Sequence, residues 1–141
     1  MPYIYVAAAG PGTVPMGMSY SGSGGTNNNN SWEKTVGWTA MPAYPDTVIV
    51  TDSLAPSAGQ FTIDAKTTRT DADGGFQMRV VVSGTVVATS TPGGKSQTVT
   101  ATVTVNDGDK VWMEHYTGTA PVYARPVLTG AANTYLTITP A

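Results

Sequence analysis

The chain has 141 residues, 40% of them hydrophobic and only 11% charged, with a formal charge of −2. That length and apolar content support one domain with a core of its own. Seven Lys and Arg against nine Asp and Glu, scattered singly, leave no basic stripe for a phosphate backbone and argue against a nucleic-acid partner. Cysteine is absent, which excludes a disulfide framework and thiolate metal chemistry. The opening Met1 to Ala9 has no basic stretch and only a short apolar run before Gly10 and Pro11, so neither a signal peptide nor a membrane span is expected there.

The first thirty residues read as an extended arm. Pro2, Pro11 and Pro15, with Gly10, Gly12, Gly17, Gly22, Gly24 and Gly25, interrupt regular structure, and Asn27 to Asn30 complete a polar low-complexity run. Within the arm, Tyr3, Ile4, Tyr5 and Val6 have the composition of a short strand, and the arm reads either as disordered or as a segment that orders only by adding a strand to, or packing onto, a neighbouring subunit.

From residue 31 to 141 the pattern is that of a β-sandwich. Thr47 to Thr51 reads as a strand after Pro45, and Gln60 to Thr70 as another with Phe61, Ile63 and Ala65 on one face. Beyond the turn Asp71 to Gly75, Phe76, Met78, Val80 and Val82 face inward while Gln77, Arg79 and Ser83 face out. Gly84 suggests a hairpin into Thr85 to Ser90, and Thr91-Pro92-Gly93-Gly94 is a break. Gln97 to Val105 then alternates strictly, with Val99, Ala101, Val103 and Val105 on one face and threonines on the other. The turn Asn106-Asp107-Gly108-Asp109 follows. Val111 to Tyr116, Val122 to Leu128 and Thr134 to Thr139 complete about eight strands, and no helical stripe interrupts them. Short strands separated by Gly, Pro and Asp turns predict an all-β antiparallel two-sheet sandwich, with a jelly roll preferred because Ser53 to Gly59 and Thr117 to Pro121 are long enough to cross between sheets.

Chemistry is sparse. His115 is the only histidine, and it reads as a surface or interface residue, since Glu114 and Tyr116 beside it on a strand face the other way. No nucleophile elbow or phosphate loop is present, so no catalytic residue, cofactor or enzymatic activity is expected. Asp71-Ala72-Asp73-Gly74 and Asn106-Asp107-Gly108-Asp109 cluster oxygen donors but fall short of a calcium loop. They read as turns, with Asp107, Gly108 and Asp109 as a structural connection and no metal. Trp112, Tyr116 and Tyr123 read as anchors of a core or subunit interface, or alternatively as a platform facing a glycan.

Gly84-Thr85-Val86-Val87-Ala88-Thr89 and the later Val99 to Val105 strand running through Asn106-Asp107-Gly108-Asp109-Lys110-Val111 resemble the C1q/TNF-like jelly-roll domains of virion proteins from tailed phages of actinobacteria. Gly37-Trp38 and Ala43-Tyr44-Pro45-Asp46-Thr47 are similar to the opening of that type. The resemblance covers roughly Trp32 to Pro140. It implies a trimer around a three-fold axis, a structural Gly-Asp turn, and a place in a virion beside other structural proteins, as a minor tail or capsid decoration protein. A carbohydrate-binding or host-surface adhesion module is the rival expectation. The low charge, well below the roughly 25% usual for globular proteins, suits a protein held in an assembly or exposed outside a cell.

Overall fold

The computed structural model describes residues 13–22, 31–70, 75–116 and 127–141, and these form two antiparallel sheets with no helix. The strands are β1 Met16–Tyr20, β2 Trp32–Lys34, β3 Trp38–Ala40, β4 Ile49–Val50, β5 Ser53–Leu54 and β6 Gly59–Thr68. They continue with β7 Gln77–Val82, β8 Thr85–Thr89, β9 Ser96–Val105, β10 Val111–Tyr116 and β11 Tyr135–Pro140. One sheet runs β3-β1-β11-β6-β9, the other β4-β5-β10-β7-β8, with β2 pairing the far part of β10. The chain passes back and forth between the two sheets, staying in one only at the β4-β5 and β7-β8 hairpins, which is the connectivity of a jelly roll.

Period-two alternation builds the core. Met18, Phe61, Ile63, Ala65, Leu136 and Ile138 point inward from the first sheet. Leu54, Met78, Val80, Val111 and Met113 meet them from the second, and all of these are fully buried. Tight turns close the hairpins. Ser83 and Gly84, at φ 43° and 88°, join β7 to β8, and Thr51 and Asp52, at φ 48° and 57°, join β4 to β5. Positive φ at both central residues gives the twist that a two-residue hairpin needs.

The expected strand at 47–51 is a hairpin instead, because its chain reverses at Thr51-Asp52. The link after it crosses from the second sheet to the first, as its length suggested. Of the expected strand 122–128, Val127 bridges Arg69, and residues 117–126 lie outside the described ones.

The larger correction concerns the arm expected over residues 1–30. Residues 16–20 are β1, between β3 and β11 in the body of the first sheet, with Met16, Met18 and Tyr20 buried. The glycine that looked like a breaker is a packing residue. A Cβ on Gly17 would lie 2.6 Å from Tyr44 Cδ2, so only glycine lets the 41–47 loop lie across β1. Thr47 Oγ1 fastens that loop, accepting from Gly17 N at 2.9 Å and donating to Tyr44 O at 2.7 Å. Tyr3, Ile4, Tyr5 and Val6 lie outside the described residues.

Candidate functional site

β10 divides its side chains strictly between the two faces of its sheet. Trp112, Glu114 and Tyr116 point outward, half-buried, while Val111, Met113 and His115 point into the core. Register places Lys34 and Arg79 on either side of Glu114, and Trp32 and Gln77 on either side of Tyr116. Arg79 donates from Nε to Glu114 Oε1 at 2.7 Å, with Nη2 2.6 Å from the same oxygen. Glu114 Oε2 accepts from Trp112 Nε1 at 2.9 Å. The Arg79 guanidinium stands 4.3 Å from the Trp32 ring centroid, and Lys34 Nζ 4.8 Å from that of Trp112. Trp32 and Tyr116 meet with centroids 5.6 Å apart.

The structure puts Trp112 and Tyr116 on one face of β10 and brings Trp32, Lys34 and Arg79 to them, partners that the sequence reading did not name. The signal was the three-residue strand β2, too short to show a period. Tyr123 lies outside the described residues. The cluster is self-satisfied: each indole carries a cation of the chain itself, a favourable arrangement in its own right, so a sugar stacking on those faces would have to displace Lys34 or Arg79.

His115 is not a surface residue. It is 3% exposed, because the register that sends Glu114 out sends it in. Its Nε2 meets Thr67 Oγ1 at 2.9 Å, and its Nδ1 is hydrogen-bonded to Thr35 Oγ1. The Phe76 ring stacks on the imidazole at 5.5 Å between centroids, and the buried Arg69 lies over the same Phe76 ring at 4.4 Å. Burial first, and the Arg69 charge second, push the imidazole down to about 3 from its ordinary 6.5. A neutral ring with both nitrogens on threonine hydroxyls ties the sheets together, and its titration lies far from the range of a general base. Gln97, paired with Thr67 across β6 and β9, is also buried and donates to Gly93 O.

The Asp107-Gly108-Asp109 turn is self-contained as well. Asp109 N donates to Asn106 O at 3.0 Å, and Asp109 Oδ2 accepts from Asn106 N at 2.9 Å. That carboxylate therefore closes the loop, and Gly108 supplies φ +85°.

The outward face of the other sheet is of a different kind. Thr62 on β6, Thr98, Thr100, Thr102 and Thr104 on β9 and Thr139 on β11 stand across it, and Asp64 and Lys66 are the only charged residues of those three strands. β9 is ten residues long and ends the sheet, paired with β6 alone among the described strands.

No family model and no curated protein sequence matches the chain. Solved structures do. Eiger TNF from S. frugiperda superposes with a TM-score of 0.67 at 8% identity, over 92% of this chain and 93% of that one. Murine APRIL gives 0.64 at 10% identity, over 88% and 97%, and rabbit GITRL 0.53 at 14% identity, over 89% and 93%. At these identities the likeness is one of fold. The described residues form an all-β jelly roll with the TNF-like fold.

Proposed function

We propose that the chain is a non-enzymatic structural module of a phage virion, a minor tail or capsid decoration protein, working as a homotrimer among other structural proteins. The observation that carries this reading is the outward face of β11, β6 and β9. It is polar through threonine rather than charge, and it ends in a ten-residue edge strand with no charged side chain. Edge strands of free monomers are guarded by charges, proline, bulges or brevity, and β9 has none of these. A second copy laid on this face and edge completes backbone hydrogen bonds and removes the hazard. The TNF-like fold supports the non-enzymatic, trimeric part of this reading, and the placement in a virion rests on the sequence resemblance of Gly84 to Val111 to phage domains.

The rival carbohydrate-binding module requires free aromatic faces, and at Trp32 and Trp112 Arg79 and Lys34 hold those positions. Assembly is therefore the better-supported function. Its test is the absolute mass in solution by light scattering. Three times the chain mass is expected, and a single-chain mass at micromolar concentration overturns the reading.

A further inference from the structure

We propose that Asp64 of one copy pairs with Lys66 of the next across the outward face of the first sheet, so that three such ion pairs close the ring and fix how the copies are turned against each other. This rests on the assembly reading above and names the contact that sets its register.

Of the five strands of that sheet, β6 alone carries charged side chains, Asp64 and Lys66, and they are of opposite sign. Residues i and i+2 of a strand share one face, about 7 Å apart, so the two charges stand together on the outward side. In register, Asp64 lies between Thr137 of β11 and Thr100 of β9, and Lys66 between Tyr135 and Thr98. They do not pair with each other. Lys66 donates from Nζ to Ala132 O at 3.2 Å, on the side away from β9. Asp64 is hydrogen-bonded to the Tyr135 side chain, and burial first, then the Asp64 charge, push that phenol above its ordinary 10.0. Neither charge has an ion-pair partner among the described residues.

Packing limits where a neighbour can sit. The Tyr44 ring takes the space over Gly17 on the outward side of β1, which leaves β11, β6 and β9 as the open part of the face. Thr98, Thr100, Thr102, Thr104 and Thr139 are exposed there, and Asp64 is exposed among them. Since β6 runs between β11 and β9, a molecule seated on this part of the face covers both charges.

Charge balance selects the occupant. A charge covered without its counter-charge costs free energy. An acidic partner would set like charge against Asp64, and a basic one would do the same to Lys66. A second copy of this chain brings one of each. Contacts around a three-fold axis are heterologous, one group meeting a different group of the next chain. Each copy thus offers Asp64 to one neighbour and Lys66 to the other, and no charge is left over.

Charge reversal tests the contact. Light scattering over a concentration series is run on the full chain, on Asp64→Lys, on Lys66→Asp and on the protein carrying both changes, with thermal unfolding to show that each is folded. Either reversal alone is expected to raise the concentration at which the trimer dissociates by about ten-fold or more, and the double exchange to bring it back to within about three-fold of the unmodified value, because the pair is rebuilt with its signs exchanged. Asp64→Asn and Lys66→Gln form a second cycle that keeps side-chain size. Each alone leaves one charge covered and unpaired, and is expected to weaken association more than the two together. Single reversals that leave association unchanged overturn the proposal, and so does a double exchange that fails to recover it. The unmodified protein separates this failure from that of the assembly reading: a three-chain mass with no response to reversal removes the ion pair alone, while a single-chain mass removes both.

Discussion

The imidazole of His115 on β10 and the hydroxyl of Thr67 on β6 meet at 2.9 Å across the interior, a buried polar contact that joins the two sheets. Since the ring is buried and held near 3 against 6.5 when free, the unfolded chain takes up a proton first as the pH falls. Stability is therefore flat with respect to this group above 6.5 and declines below it until about 3, at about 1.4 kcal/mol per pH unit.

Denaturant unfolding at pH 7 and 4.5 measures that decline. The native chain is expected to lose about 2–3 kcal/mol more than His115→Gln over this interval, the variant being less stable at pH 7. Equal losses in the two proteins would mean that the imidazole is not buried in neutral form.

Gly17→Ala places a methyl group where Tyr44 lies and is expected to lower stability by about 1–3 kcal/mol. In Tyr44→Ala the same change becomes nearly neutral, because the colliding ring is gone. A double-mutant cycle by thermal unfolding checks this, and additive effects would place Tyr44 elsewhere.

Thr51 is a β-branched residue at φ 48°, a conformation that such residues rarely adopt. Thr51→Asn keeps the backbone carbonyl that accepts from Lys34 Nζ at 2.7 Å and relieves the strain, so a gain of about 1 kcal/mol is expected in urea unfolding. Asp52 must be left in place, because its Oδ1 accepts from Gly37 N at 2.8 Å. A Thr51→Asn protein that is no more stable would show that the turn is unstrained.

Deleting residues 1–30 removes β1 and leaves β3 and β11 without their partner. The truncated chain is expected to lose its cooperative unfolding transition by circular dichroism. A cooperative, native-like transition would mean that the first sheet closes without β1.

The long strands were legible because period two needs several repeats to register, and Gly59–Thr68 and Ser96–Val105 supply five each. β1 was hidden because its outward position is glycine, put there by the Tyr44 ring rather than by any turn, and β2 and β5 are shorter than one repeat can reveal. Trp112 and Tyr116 share a face because they stand four residues apart on one strand. Lys34 and Arg79 belong to strands 78 and 35 residues away from Trp112 and Glu114 in one direction of the chain, a proximity that only pairing register creates.

β1 finds its partner at the other extreme of the chain, Met16 against Ile138. During synthesis Met16, Met18 and Tyr20 are among the first core residues made, yet the strand that covers one side of them is among the last. The first sheet has no continuous middle until residue 138 has left the ribosome. Its two halves must then close around a late insertion, a long-range step of the kind that makes β-proteins slow to fold, so the apolar side chains of β1 are the part of this molecule most in need of protection while it is being made.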